Sequence, residues 1–258
     1  MLKDYRAITD VADLIVDAAE LTVEAYRKGR ITDEPNITDR FMNAIETKIQ
    51  GLVTPLPPHE RKRYRRLRGR RTDGNDPATA RVGVVEQEML AHTSSRQTQL
   101  RWEAATLRSS SGRAAEEKRY GADILGVLTI ETAEFQTNKG FLAQAKRAEP
   151  GERFSSSEWQ RLVGQCEKML QCSRDAYVMV YSKKAGIRFF SGQAVSGFSG
   201  TDIFELYSLG VGDFFKRHLQ SFIGDARLNQ AHVSVLDAIH LSHASDHHVL
   251  HLSASDTS

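Results

Sequence analysis

The chain has 258 residues, of which 40% are hydrophobic and 26% are charged, a composition typical of a globular protein with enough residues for a full α/β core. No apolar stretch reaches the roughly 20 residues that span a bilayer, and residues 1–6 lack the apolar core of a signal peptide, so we predict a cytoplasmic protein with no membrane segment. The net charge is +2, but bases outnumber acids in the middle of the chain and acids outnumber bases at both ends, which favours a polyanion bound centrally.

Two helices are predicted within residues 1–54. Apolar residues follow helical spacing from Ile8 to Arg27, and a second helix is predicted from Thr38, a good N-cap, to about Leu52. The second helix is assigned to the core of the protein. Glu34 lies just before it, where a carboxylate either decorates a loop or belongs to a functional site.

Residues 55–80 are predicted to form a linker or arm rich in proline and arginine. Within residues 61–71, eight of eleven positions are Lys or Arg, and Tyr64 and Leu67 lie between them. Such a run suits contact with a phosphate backbone without reading of bases, and a solvated arm is the alternative.

Residues 81–191 are predicted to form the core sheet and a helix. The segments 82–89 and 98–107 alternate like strands and are predicted to form a hairpin that leads into the sheet. A loop rich in small and charged residues follows and contains Glu116 and Glu117. Loops at such a point of a scaffold often hold functional groups, so both glutamates are candidates for a site.

The segment from Gly121 to Arg147 is predicted to be a second β-hairpin, because an apolar run and a mixed run flank a polar gap around residues 134–138. In the second arm Gln144 and Lys146 share one face, since side chains alternate along a strand. A turn centred on the gap would set Asp123 opposite residue 146 or 147. A carboxylate, an amide oxygen and an ammonium group would then converge.

Asp123 together with Gln144-Ala145-Lys146 resembles the signature of the PD-(D/E)xK nuclease superfamily, which includes many restriction enzymes and Holliday-junction resolvases. The resemblance implies a restriction-endonuclease-like α/β fold, with a mixed central sheet flanked by helices, and a Mg²⁺ site that could also take Mn²⁺. It assigns the cation to Asp123, Gln144, the backbone carbonyl of Ala145 and one further acid, either Glu34 or Glu117.

Two further features follow from the resemblance. Glu116 is a rival for the place of the further acid, and Lys146 would orient or deprotonate the attacking water. Gln144 stands where the superfamily usually has an acid and offers a cation only a dipole. Another carboxylate would therefore have to compensate, or the site would be inactive.

A helix is predicted to begin near Ser155 and to end near Gln171, with its apolar residues on one stripe. Gln165 flanks that stripe and resembles the glutamine on the corresponding helix of some related exonucleases, although Met169 stands where that pattern has Tyr. Cys166 and Cys172 would face different directions on the helix and are predicted to be reduced. Residues 176–182 and 187–190 are predicted to be strands.

Residues 192–258 are predicted to form a helical C-terminal extension, with helices at 203–223 and 233–241. Six of the nine histidines lie between His232 and His251. This tract lacks the cysteines and the spacing of a zinc site, so a polar tail or a partner surface is favoured.

The resemblance implies a Mg²⁺-dependent nuclease that hydrolyses DNA, with RNA as an alternative substrate. Superfamily members of this size suggest a role in prokaryotic defence against foreign DNA, in a homo-oligomer or with partner subunits. One alternative is a non-catalytic nucleic-acid-binding subunit that keeps the fold without a working metal site. Another is a structural interaction protein whose acidic, histidine-bearing C-terminus is the contact surface.

Overall fold

The computed structural model describes residues 5–55, 99–108, 121–132, 135–229 and 248–257. Within them the helices are α1 (Tyr5–Arg27), α2 (Glu34–Ile49), α3 (Ser156–Cys172), α4 (Gly192–Gly197) and α5 (Val211–Leu219), with a 3₁₀ turn at Ile203–Glu205. The strands are β1 (Leu52–Pro55), β2 (Gln99–Arg108), β3 (Ile124–Glu131), β4 (Gln136–Arg147), β5 (Ala176–Ser182), β6 (Gly186–Ser191), β7 (Ser208–Gly210) and β8 (His248–Thr257). No helix in these residues is both long enough and apolar enough to cross a membrane.

All eight strands form one mixed sheet in the order β1-β2-β8-β3-β4-β5-β6-β7. The pairs β8–β3 and β4–β5 are parallel, and the other neighbours are antiparallel. The fold is therefore α/β with a mixed sheet flanked by helices, as the sequence predicts.

Helices cover both faces of the sheet and divide its core in two. On the α2 face, which α1, α2 and α5 cover, the buried side chains include Ile124, Phe141 and Leu250. On the α3 face, which α3 and α4 cover, they include Leu125, Leu142 and Val178. This division follows the alternation of side chains along each strand.

Phe141 is the centre of an aromatic cluster on the α2 face. Its ring meets Phe214 edge to face at a centroid distance of 4.9 Å and His218 at 5.0 Å, and Phe189 stacks on Phe214 at 3.8 Å. A Cβ added to Gly126 on β3 would lie 2.2 Å from the Phe141 ring. Glycine at position 126 therefore allows the ring to lie directly on the neighbouring strand.

The N-terminal helices are confirmed, but the second begins earlier than predicted. Asp33, not Thr38, is its N-cap and accepts a hydrogen bond from the amide of Asn36 at 3.0 Å. Pro35 lies in the first turn, where proline is favoured because its fixed φ suits the helix and no N–H is needed there. Glu34 thus opens α2, and Leu52 begins β1 instead of ending a helix.

The predicted helix after the hairpin is confirmed as α3. Ser155 and Glu158 form a complete capping box at its start. Cys166 and Cys172 are free thiols, and burial raises the pKa of Cys166 to about 12. The two strands predicted after this helix are confirmed as β5 and β6.

The predicted helical C-terminal extension is confirmed only in part in the residues that the structure describes, because α4 and α5 are helices but β7 and β8 are strands. β8 is a strand in the middle of the sheet, between β2 and β3. The helix predicted at 203–223 is instead a 3₁₀ turn, β7 and α5, because residues 208–210 pair with β6. The strand predicted at 82–89, the basic segment 61–71 and the helix predicted at 233–241 lie outside the described residues.

Candidate functional site

The backbone of Asp123 is held between two strands at the start of β3. Its amide donates to the carbonyl of Ala143 on β4 at 3.0 Å, and the amide of His248 on β8 donates to its carbonyl at 2.8 Å. Gly121, with φ +70°, lies two residues earlier, and a Cβ there would be 2.4 Å from the carbonyl oxygen of Gln165 on α3. Glycine lets the chain pass close to α3 as it enters the sheet, which fixes the position of Asp123.

The predicted hairpin is confirmed, but its predicted register is wrong. Ile124 pairs with Ala143, so Asp123 lies across from Gln144 and not from residue 146 or 147. The reason is the position of the turn. Thr132 and Phe135 close it, with the amide of Thr132 donating to the carbonyl of Phe135 at 3.0 Å, so the chain reverses before the centre of the polar gap.

The carboxylate of Asp123 contacts the Gln144-Ala145 step of β4. Its Oδ2 accepts hydrogen bonds from the amide of Ala145, at 3.0 Å, and from Nε2 of Gln144. Gln144 is 1% exposed, and its Oε1 has no hydrogen-bond partner among the described residues. A buried carbonyl-type oxygen without a hydrogen bond therefore belongs to the side chain that contacts Asp123, and such an atom is costly unless something binds it.

Lys146 and Glu34 form the second pair of the site. Nζ of Lys146 lies 3.7 Å from Oε2 of Glu34, and the Lys146 side chain is only 12% exposed. Oε1 of Glu34 accepts a hydrogen bond from the backbone amide of Arg147 at 3.2 Å, and the Arg147 guanidinium donates to the carbonyl of Thr32. The start of α2 is thus fastened to the end of β4, with Glu34 against Lys146.

The two pairs are neighbours along β4. Gln144 and Lys146 are two residues apart on the α3 face, where the rise of a strand separates such positions by about 6.6 Å. Their shared face, predicted from the sequence, is confirmed by the burial of Leu142 in the α3-face core. The structure therefore brings Asp123, Gln144, Lys146 and Glu34 to one end of the sheet.

Tyr181 of β5 was not predicted as a site residue and is hydrogen-bonded to α2. Its hydroxyl donates to Oγ1 of Thr38 at 2.8 Å, and the residue is fully buried. Burial raises the pKa of Tyr181, and the negative charges of Asp123, Glu34 and Asp39 raise it further. The phenol consequently stays protonated as a neutral hydrogen-bond donor to Thr38, in the core of the α2 face, whereas Gln144 and Lys146 lie on the α3 face.

His248 and Asp39 form a further pair that the sequence analysis missed. Nδ1 of His248 lies 3.3 Å from Oδ1 of Asp39, and both side chains are largely buried. Because the backbone of His248 also bonds to Asp123, the pair adjoins the site. The sequence signal was the strict alternation of Leu250, Leu252 and Ala254 with polar residues, which is typical of a strand.

Of the other residues predicted to belong to the site, the structure describes Gln165 but not Glu116 or Glu117. Gln165 is buried on α3, and its backbone packs against Gly121, two residues before Asp123. Glu116 and Glu117 lie outside the described residues, as does the part of the histidine tract before His248. Of the three acids predicted to join Asp123, the structure describes Glu34, whose contacts are with Lys146 and Arg147.

The donor set suits a hard cation in part. The carboxylate of Asp123, Oε1 of Gln144 and the carbonyl oxygen of Ala145 are oxygen atoms, the ligand type that Mg²⁺ prefers. In the structure, however, Nε2 of Gln144 donates to both the Asp123 carboxylate and, at 3.3 Å, the Ala145 carbonyl, so Oε1 can join these oxygens around a cation only if the amide rotates. The described parts of the chain contain no group of three His, Cys, Asp or Glu residues arranged to hold a metal. A cation at this place would therefore rely on amide and backbone oxygens and on water for most of its ligands.

Comparison with known proteins gives no match: no protein-family model matches the sequence, and no curated protein or solved structure is significantly similar to the chain. The fold and the site define the protein only as a mixed-sheet α/β protein with a polar site at one end of the sheet.

Proposed function

We propose that the chain is a Mg²⁺-dependent nuclease that hydrolyses phosphodiester bonds of DNA. The observation that supports this most is the meeting of Asp123, Gln144, Lys146 and Glu34 at one end of the sheet. Metal-dependent phosphodiester hydrolysis uses an oxygen-lined cation site, and a positively charged hydrogen-bond donor beside it stabilises the transition state. Asp123 and Gln144 offer the first, and Lys146 offers the second.

Asp123, Ala145 through its carbonyl and, after rotation of its amide, Gln144 through Oε1 would hold the cation, which would replace the hydrogen bonds that Nε2 of Gln144 now donates to the first two. When bound, Mg²⁺ activates water and withdraws charge from phosphate oxygens. The hydrogen bond from the Ala145 amide to Asp123 orients the carboxylate before substrate binds. Such preorganisation lowers the cost of placing charge correctly in the transition state.

Lys146 would donate hydrogen bonds from Nζ to the attacking water and to the phosphate oxygens that gain charge. Glu34 contacts Lys146 and so restricts where the ammonium group points. Since Glu34 is also fastened to the Arg147 amide, the carboxylate itself is held in place. In this proposal Glu34 is a positioning residue for Lys146.

A second function is a nucleic-acid-binding subunit without catalysis. The observation in its favour is that Gln144 replaces an acid and that the described residues provide no cluster of three metal-binding side chains. In that case Asp123 and Gln144 would be structural, and the basic residues would account for binding.

The test is incubation of supercoiled plasmid with the protein in Mg²⁺ or Mn²⁺, compared with a chelator. Wild type should cut, and Asp123→Asn and Lys146→Met should lose at least 100-fold in rate, a loss typical of removing a charge-stabilising group. Lys48→Met is the matched control, because Lys48 also has an acid partner, Asp17 at 3.4 Å, but lies at the opposite end of α2.

Equal cutting by wild type, Asp123→Asn and Lys146→Met would refute the catalytic assignment and indicate a contaminating nuclease. Absence of cutting, combined with a gel shift of DNA that weakens steeply with salt, would favour the binding subunit. Circular dichroism of each variant distinguishes loss of chemistry from loss of fold.

A further inference from the structure

A cavity of about 330 Å³ opens beside the candidate site and shares two of its residues, Lys146 and Glu34. Its other walls are the chain that follows β4, the first turns of α3 and Tyr26 at the end of α1. The cavity is therefore continuous with the site and lies beyond Lys146 as seen from Asp123.

Four carboxylates line this cavity, and each is engaged within the protein. Glu34 accepts from the Arg147 amide at 3.2 Å, and Glu152 accepts from the Glu149 amide at 3.0 Å. Glu149 accepts from the hydroxyl of Ser182 and the amides of residues 183 and 184. Glu158 belongs to the capping box of α3. These acids serve to hold the loops and helix ends that form the walls.

Two arginines on the walls, unlike the acids, are not engaged by other described residues. Arg153 and Arg161 make no hydrogen bond or ion pair within 4.0 Å in the part of the chain that the structure describes, and both are exposed. The Ser155 hydroxyl, the Ser155 amide and, more weakly, Arg161 and Lys146 hold the pKa of Glu158 below its usual range. Arg161 and Lys146 thus both stabilise the charged form of Glu158.

Guanidinium groups with unused donors suit a phosphate group, because the planar fork can bind two of its oxygens at once. A DNA strand carries one phosphate per about 3.4 Å of helix axis. A strand whose reactive phosphate lies over Asp123 and Lys146 would thus bring a neighbouring phosphate to a cavity that has Lys146 in its wall.

We propose that this cavity is a subsite for a backbone phosphate of the DNA strand, bound by Arg153 and Arg161 next to the phosphate that is attacked. The inference rests on the proposed nuclease function for its substrate, but it concerns binding and not the chemical step. It assigns to the two arginines a role in positioning the strand along the direction from Asp123 through Lys146.

The experiment measures binding of a fluorescent DNA duplex, without metal, to the full chain carrying Asp123→Asn. Arg153→Gln and Arg161→Gln, each added to this background, should weaken binding about three- to tenfold and reduce the slope of log affinity against log salt by about one each. Arg174→Gln is the matched control, since Arg174 is exposed and follows the other end of α3; it should change neither quantity.

Unchanged affinity and slope in both variants would overturn the subsite. Inorganic phosphate, added at constant ionic strength, tests whether the arginines bind phosphate. If it abolishes the difference between the variants and their parent, it competes with the DNA backbone for the same arginines, which supports the subsite. Loss of binding in the arginine variants, together with no cleavage by wild type in Mg²⁺, would support the subsite while refuting the proposed nuclease.

Discussion

The two ends of β4 each present a lysine, and the two lysines lie in opposite environments. Lys146 has a carboxylate 3.7 Å away and lines a cavity. Lys139 is 5% exposed, and its Nζ has no hydrogen-bond partner among the described residues. The Lys139 side chain is also close enough to His218, a member of the aromatic cluster, to lower the pKa of that ring. Burial lowers the pKa of Lys139 to about 8, although the charge of Asp175 opposes this shift. The comparison teaches that one strand can support both a positioned charge and a buried amine that is costly to protonate.

The largest expected effect comes from breaking the apolar end of β4. Phe141→Ala removes the ring at the centre of the aromatic cluster and should lower the free energy of unfolding by ~3–5 kcal/mol, the usual cost of truncating a buried phenylalanine. Urea titration measures this change in the free energy of unfolding. Phe222→Ala is the control, because Phe222 is 68% exposed and should change stability little.

The next largest effect is expected from replacing the buried lysine, Lys139. Its folded-state pKa, about 8, lies below the ordinary 10.5, so protonation below pH 8 opposes folding and stability rises as the pH increases from 8 to 10.5. Lys139→Met should therefore stabilise the protein at pH 7 by up to ~3 kcal/mol and should remove this rise.

The same substitution at the other lysine is the matched control for that experiment. Lys146→Met removes the ammonium group that pairs with Glu34 and should give no stabilisation at pH 7. A gain from Lys146→Met as large as that from Lys139→Met, in urea titrations at pH 7, would show that the two environments do not differ in the way described.

A smaller effect is expected at acid pH from His218. Its Nδ1 donates to the carbonyl of Ile223 at 3.0 Å, and burial lowers the pKa of the ring to about 3, with Lys139 contributing. Since the folded-state pKa is depressed from 6.5, stability should fall as the pH drops from 6.5 towards 3, by ~2 kcal/mol at pH 5. His218→Asn keeps the donor to Ile223 and should flatten this part of the profile, measured as unfolding midpoints between pH 7 and 5.

The smallest effect on stability is expected from Tyr181, which is hydrogen-bonded to α2. Tyr181→Phe removes the hydrogen bond to Thr38 and should cost ~1 kcal/mol, the net value of one such bond. The same substitution at Tyr207, which is 79% exposed, should cost nothing measurable. If Tyr181→Phe also slows DNA cleavage beyond its effect on stability, the phenol takes part in the site.

Features set by neighbours in the sequence could be predicted, and features set by distant contacts could not. The shared face of Gln144 and Lys146 follows from strand alternation, and α3 follows from helical periodicity and its cap. The register of the hairpin was wrong by at least two residues, because the Thr132–Phe135 turn, not the polar composition of the gap, decides where the chain reverses.

The position of β8 could not be read from local patterns. Its pairing of His248 with Ile124 joins residues 124 positions apart, and no periodicity within either segment specifies such a partner. For the same reason the Asp39–His248 pair was missed, since its two members belong to α2 and to the strand assigned to a tail. The proximity of Glu34 and Lys146 was expected from the family resemblance alone, and the structure places them together.

The central position of β8 also has a consequence for how the protein is made. Until residues 248–257 leave the ribosome, β2 and β3 each lack a neighbour and present an open row of amide and carbonyl groups. Closure of the sheet must then wait for a contact of very long sequence separation, which slows folding and prolongs exposure to aggregation. Production of this protein in a foreign host should therefore benefit from low temperature or added chaperones.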